Sequence, residues 1–175
     1  MKTLFKILFV LFIISSAAQS GVAQSTKSEK KAAKEAAIKE LVNSKNFIFK
    51  ANYMYPLGGG QIYLTTDYDL AVGKDTLAAF LPYYGVAYSG VGYNNSDDNG
   101  IKFTSTKFDY VTEENKKGNW RINIKPKDTR TTNQMVLTIE ANGNANLSVI
   151  SYNRQSISFN GIIKEKPKAN NNAKN

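Results

Sequence analysis

The chain has 175 residues, a formal net charge of +9, and neither histidine nor cysteine. It therefore lacks the usual general base near neutral pH, the strongest protein nucleophile, disulfides and the commonest ligands of zinc, copper and haem. The excess positive charge lies near the two ends, because residues 46–163 carry 11 basic and 10 acidic residues. Nucleic-acid binding is not expected, since it needs Lys and Arg clustered on a folded face.

The first 23 residues have the layout of a secretory signal peptide. A basic start at residues 1–6 is followed by an apolar run at 7–14 and then by small residues. Cleavage is possible after Ala18 or after Ala23, and we favour Ala23. The apolar run is shorter than the ~20 residues that cross a bilayer. We therefore expect residues 1–23 to be removed and the mature protein to be exported, periplasmic or secreted, with no transmembrane segment.

Residues 24–46 predict one amphipathic helix rich in Ala, Lys and Glu. Its large apolar residues, Ile38, Leu41 and Val42, occur at helical spacing only in the last two turns. We expect this end of the helix to dock on the domain that follows, while the earlier turns project.

Residues 47–163 predict an all-β domain after the N-terminal helix. Apolar and polar residues alternate with period 2, as in Trp120, Ile122 and Ile124, and short Gly- and Asn-rich turns separate the runs. Such turns join neighbouring strands, so we predict an antiparallel up-and-down meander, either barrel-like or a strongly curved sheet. Nine strands are expected, with residues 61–65 and 67–72 counted as separate strands, or ten if 101–111 breaks near Ser105 and Thr106. The Lys- and Asn-rich residues 164–175 predict a disordered tail.

One connection is long and aromatic. Residues 83–100 contain four tyrosines and four glycines, and loops of this length are usually functional or disordered. Tyrosine offers a flat apolar face with a polar tip, which suits a sugar, a peptide or an apolar small molecule. The alternative is that these rings cap the end of the core. The predicted ligand-binding residues are Tyr83, Tyr84, Tyr88 and Tyr93, with Arg154 from the turn at 153–155.

Two acidic motifs carry alternative chemistry. Asp67 and Asp69 are two apart on a predicted strand and share a face, as paired carboxylates of a hydrolase would. They alternate with Tyr68 and Leu70, which favours a solvent-facing position instead. Residues 95–100 match the start of a calcium loop, but its twelfth position is Thr106 rather than Glu. We therefore expect no metal and no cofactor.

Four short motifs occur together in this domain: TDYDL at 66–70, LPYYG at 81–85, GIKF at 100–103 and NRQ at 153–155. In combination they resemble an exported Bacteroidetes family catalogued as domain of unknown function 4251. The resemblance covers about 47–163, and the preceding helix is also similar. Val86 stands where the family often has Arg after the loop glycine. The resemblance implies an exported location and the extent of the domain, and it brings no catalytic residues.

The function predicted from the sequence is an exported, non-enzymatic binding module. Its aromatic loop would contact a small molecule, a glycan or an envelope protein. One alternative is a carboxylate-dependent hydrolase that uses Asp67 and Asp69, which would need both side chains in a concave pocket and a raised pKa on one. Another is a structural envelope or adhesion component, which would present a broad apolar or aromatic patch.

Overall fold

A computed structural model describes residues 19–86 and 100–167, with side chains described from residue 26. The chain divides into two compact units, Met1–Ala37 and Ile38–Asn175. Its elements are the helix α1 (Gln19–Ser44) and the strands β1 (Phe47–Pro56), β2 (Ile62–Val72), β3 (Leu77–Pro82), β4 (Gly100–Ser105), β5 (Phe108–Glu114), β6 (Trp120–Pro126), β7 (Thr132–Ile139), β8 (Asn144–Ser151) and β9 (Ile157–Glu165). The predicted all-β domain with one N-terminal helix is confirmed.

The end of α1 docks as its apolar pattern predicts. Ile38 and Val42 are buried and join the core of the sheet, and Leu41 packs beside them. The side chains of residues 26–34 are exposed. The backbone of Lys45 then takes a positive φ of 50°, and its N–H donates to the carbonyl of Val42 at 3.2 Å. This left-handed residue ends the helix and turns the chain into β1. No helix in the part of the chain that the structure describes is long and apolar enough to cross a membrane.

All nine strands form one antiparallel sheet that curves into a nearly closed barrel. The strand order is β4-β3-β2-β1-β9-β8-β7-β6-β5, so β1 and β9 pair in the middle and β4 and β5 lie at the two edges. The predicted meander is confirmed, because all consecutive strands except β4 and β5 are neighbours in the sheet. Directions alternate along this order, so β4 and β5, at its first and ninth places, run the same way.

Strands β4 and β5 behave as one long strand that changes partner. β4 pairs with β3 as far as Ser105, and β5 pairs with β6 from Phe108 onward. The break near Ser105 and Thr106 is thus present. The two runs 61–65 and 67–72, which the periodicity separates, are instead joined in β2. The sequence pattern separates them because the register of β2 against β1 slips between the two runs. Tyr63 lies opposite Tyr53, whereas Tyr68 lies opposite Ala51.

A single carboxylate braces the point where the long strand changes partner. Asp128, just after β6, accepts hydrogen bonds from the hydroxyl of Ser105 and from the backbone N–H groups of Thr106 at 2.9 Å and Lys107 at 3.2 Å. Ser105 is the last residue paired with β3, and Thr106 and Lys107 lie between the β3 and β6 ladders. The bonds lower the pKa of Asp128, the Ser105 hydroxyl contributing most.

The interior of the barrel is a packed apolar core. The largest side chains that are almost fully buried are Phe47, Phe49, Met54, Leu70, Leu77, Leu81, Ile122, Ile124, Met135, Leu137, Ile139 and Phe159. They alternate along the strands with solvent-facing residues, as the period of 2 predicts. Only Ser105, Thr132 and Arg154 are polar among the buried residues that the structure describes. The described side chains therefore form no polar lumen that could hold Asp67 and Asp69.

Candidate functional site

An aromatic groove lies at the end of the barrel where β3 stops and β4 starts. It has a volume of about 550 Å³, and its most exposed rings are Phe80 and Tyr84. We call this feature the aromatic groove; it is lined by Tyr68, Phe80, Leu81, Pro82, Tyr83, Tyr84, Gly85, Gly100 and Lys102. Both segments that border it lead toward residues 87–99, which contain the predicted site residues Tyr88 and Tyr93. These two tyrosines lie outside the described residues.

Tyr83 anchors the start of the loop to the turn between β8 and β9. Its hydroxyl lies 3.1 Å from the carbonyl oxygens of both Val86 and Gln155. The backbone N–H of Gln155 also donates to the carbonyl of Val86 at 3.2 Å. The ring is partly buried against the core. Through its described contacts Tyr83 therefore holds the start of the loop against the turn at 153–155 and packs on the end of the core.

Arg154 lies beside Tyr83, and the sequence predicts both as residues of one ligand site. Its guanidinium carbon is 5.1 Å from the centre of the Tyr83 ring, and its Nη1 donates to the carbonyl of Gly100 at 3.2 Å. The side chain is only 7% exposed. A cation over a ring is worth about 0.5–2 kcal/mol, the upper part of that range applying where water is excluded. Arg154 therefore joins the turn at 153–155 to both borders of the groove.

The open wall of the groove is formed by Phe80, Tyr84 and Lys102. Tyr84 is 64% exposed and Phe80 is 41% exposed. Phe80 stacks on Tyr68, with ring centres 5.4 Å apart and an angle of 28° between the planes. The ammonium of Lys102 lies 5.3 Å from the centre of the Phe80 ring. Accessible aromatic faces are thus placed next to a positive charge.

The sequence did not single out Phe80, Lys102 or the ring of Tyr68 as site residues. A signal was present for Phe80, because it occupies a solvent-facing position between the inward residues Ala79 and Leu81. Lys102 joins it only through the β3–β4 register, in which Phe80 lies opposite Lys102. That register spans the long loop and could not be derived from spacing.

The two aspartates of the alternative site do not line the aromatic groove. Asp67 is 85% exposed and forms an ion pair with Lys50 at 2.5 Å, which lowers the pKa of Asp67. The pKa of Asp69 is raised, mainly by partial burial and also by the charge of Asp67. Within residues 19–86 and 100–167, no group of three or more His, Cys, Asp or Glu is placed to hold a metal ion.

Comparison with known proteins agrees with this fold. The chain is similar to the crystal structure of a DUF4251 family protein from Bacteroides eggerthii DSM 20697, with a TM-score of 0.56 and 17% sequence identity over 77% of this chain and 91% of that one. Comparison with curated proteins finds no match. The sequence profile of the family described as "Domain of unknown function (DUF4251)" matches residues 29–163. The chain therefore belongs to the DUF4251 family.

Proposed function

We propose that the mature protein is an exported, non-enzymatic binding module that takes its ligand in the aromatic groove. The observation that carries the proposal is the exposed pair Phe80 and Tyr84 beside the ammonium of Lys102. Export is supported by the basic, apolar and small-residue layout of residues 1–23. A binding role rather than catalysis is supported by the groove's described lining, which contains no carboxylate, and by the lack of histidine and cysteine.

The lining favours a ligand with a flat apolar face next to a negative charge. Rings such as Phe80 and Tyr84 bury the apolar face of a sugar ring or a planar group, and Lys102 attracts an anion beside it. Among the small molecules, glycans and envelope proteins expected from the sequence, an acidic oligosaccharide combines both properties. Lys102 is exposed, so its contribution should weaken as salt rises.

Binding of acidic oligosaccharides to the mature protein tests this function. Uronic-acid oligomers would be titrated by calorimetry against wild type, Phe80→Ala and Tyr84→Ala. Each substitution should weaken binding roughly fivefold or more, since a buried aromatic contact is worth about 1 kcal/mol or more. Tyr152→Ala is the matched control, because Tyr152 is 63% exposed and is absent from the groove lining.

The charge contribution is tested separately with Lys102→Gln. This variant should lose affinity for the acidic oligomers at low salt and differ little from wild type at high salt. Lys125→Gln, an exposed lysine on β6, is the control. The proposal fails if Tyr84→Ala and Phe80→Ala bind as tightly as Tyr152→Ala, or if the wild-type protein binds no uronic-acid oligomer.

A further inference from the structure

A second groove lies on the outer face of the sheet, across β1, β9, β8 and β7. It has a volume of about 460 Å³, and none of its described lining residues lines the aromatic groove. We call it the amide groove, because it is lined by the side-chain amides of Asn52 on β1, Asn146 on β8 and Asn160 on β9. Tyr53 and Tyr55 of β1 also line it.

The amide groove exists because the pairing of β1 with β9 is irregular. β1 carries a bulge at Asn52, so that Ala51 lies opposite Gly161 but Tyr53 lies opposite Asn160. At Gly161 the two backbones come so close that a Cβ would lie 1.9 Å from the carbonyl oxygen of Lys50. Gly161 therefore contributes only backbone atoms to the lining of the groove, and the side chains around it complete the lining.

The polar wall is already ordered by a chain of hydrogen bonds. Nδ2 of Asn146 donates to Oδ1 of Asn160 at 2.6 Å, and Nδ2 of Asn160 donates to the hydroxyl of Tyr55 at 3.2 Å. The chain crosses three adjacent strands, β8, β9 and β1. Each carboxamide has two N–H donors and an oxygen with two lone pairs, so these bonds orient the amides and leave capacity for a ligand.

Aromatic rings stand beside this polar wall. Tyr53 and Tyr55 are two apart on β1 and both line the groove. The Tyr53 ring packs against Tyr63 of β2, with ring centres 5.3 Å apart and planes at 60°. The contact restrains Tyr53, while Tyr63 remains 65% exposed. Oriented amides next to restrained tyrosines match a ligand that has hydroxyls on its edge and C–H groups on its face.

The charge of the lining distinguishes the two grooves. The described lining of the amide groove contains no lysine or arginine and one carboxylate, Glu140. Oε2 of Glu140 accepts a hydrogen bond from Nδ2 of Asn142 at 3.1 Å. Such a lining has no cationic side chain to pair with an anion, whereas hydroxyl groups can both donate to and accept from its amides. We propose that the amide groove binds a neutral oligosaccharide, at a site separate from the ligand site of the aromatic groove.

A glycan array probed with the mature protein tests this inference, using neutral gluco-, manno-, galacto- and chito-oligosaccharides beside acidic ones. The best neutral binder would then be titrated against Asn160→Ala, Asn146→Ala and Tyr55→Phe. Asn160→Ala removes the centre of the hydrogen-bond chain and should weaken binding roughly tenfold or more. Tyr55→Phe keeps the ring and removes one hydroxyl, so a loss of about threefold is expected.

Asn123→Ala is the matched control, because Asn123 accepts a hydrogen bond from the amide of Gln134 on a face of β6 and β7 outside the groove. Its affinity should equal that of wild type. If Asn160→Ala lowers the melting temperature, Asn146→Ala, at an exposed position, and Tyr55→Phe provide the test without a change of fold. The inference is overturned if no neutral oligosaccharide on the array binds, or if both of these variants bind like Asn123→Ala. Tyr84→Ala should leave the affinity for the neutral oligosaccharide unchanged. The experiment can therefore refute the amide-groove site without refuting the proposed site in the aromatic groove, and the reverse.

Discussion

Replacing Gly161 by alanine tests whether the close approach of β1 and β9 is needed for the fold. A Cβ at this position would lie 1.9 Å from the carbonyl oxygen of Lys50, 2.9 Å from its carbonyl carbon and 3.1 Å from the Cα of Ala51. All three atoms are backbone, so no side chain can rotate away. Since Cβ atoms essentially never approach closer than 3.0 Å, the two strands would have to separate by about 1 Å at the bulge.

The cost of that separation is set by the position of the pair in the sheet. β1 and β9 lie at the centre of the strand order and pair along the whole length of β1, from Phe47 to Pro56. Overpacking a rigid site typically costs 1–3 kcal/mol, and here we expect the upper end, about 3 kcal/mol. For a domain of this size that lowers the melting temperature by roughly 10 °C.

Gly118→Ala is the matched control for this prediction. Gly118 has a positive φ of 71°, and a Cβ added there would have the Ala141 Cβ, at 4.0 Å, as its nearest neighbour. Its substitution therefore adds only the left-handed backbone cost, about 1 kcal/mol. Urea unfolding followed by circular dichroism gives both free energies of unfolding. The reasoning is refuted if Gly161→Ala is destabilised by no more than Gly118→Ala.

Two further predictions concern pH. The pKa of Asp128 is lowered in the folded state by hydrogen bonds, first that of Ser105, so its stabilisation is present above an ordinary carboxyl pKa and is lost as pH falls through the folded value. The urea midpoint of unfolding should therefore fall less with decreasing pH in Asp128→Asn than in the exposed control Glu113→Gln. Equal pH profiles of the two variants would contradict a stabilising role for Asp128. Burial raises the pKa of Tyr110 to about 12, so stability is retained up to the ordinary value of 10.0 and falls as pH rises toward about 12. Tyr110→Phe should remove a phenol that titrates near pH 12 in ultraviolet absorbance. The alkaline loss of stability should be smaller in Tyr110→Phe than in Tyr152→Phe, which changes an exposed tyrosine.

The local structure could be predicted from the sequence because it depends on neighbours along the chain. The alternation of Trp120, Ile122 and Ile124 with polar residues identifies both β6 and its buried face. The end of α1 follows equally directly from Ile38 and Val42. In each case a short repeat matches the geometry of one element, so no long-range information is needed.

Closure of the barrel could not be predicted in this way. A meander of nine strands that reversed at every turn would place β1 and β9 parallel, because both have odd numbers. They are antiparallel, since the chain passes from β4 to β5 without reversing. The sequence left open whether 101–111 breaks near Ser105, and the consequence of that break depends on Asp128, which approaches it from the far end of β6. Composition does not tell which way the chain runs after such a break.

The candidate site was predictable in part for the same reason. Tyr83 and Arg154 were both selected, and the fold brings them to 5.1 Å between ring centre and guanidinium carbon. Their closeness depends on the end of β3 meeting the turn between β8 and β9. The contacts also separate the tyrosines by role, since Tyr83 is anchored through its hydroxyl while Tyr84 remains 64% exposed. Of these two tyrosines, only Tyr84 has an exposed ring that a ligand could desolvate.

The packed interior decides where recognition can take place. Small barrels hold a ligand inside only when their inward side chains leave space, and here Phe49, Leu137 and Phe159 are fully buried in a continuous apolar core. Under the proposed binding function, a ligand would therefore bind on the outside, where a regular antiparallel sheet is convex and offers little enclosure. Both grooves occur where that regularity fails, one at the end of the β3–β4 ladder and one at the bulge beside Gly161. The irregular pairings that make the fold harder to predict are thus the ones that give this surface its concave sites.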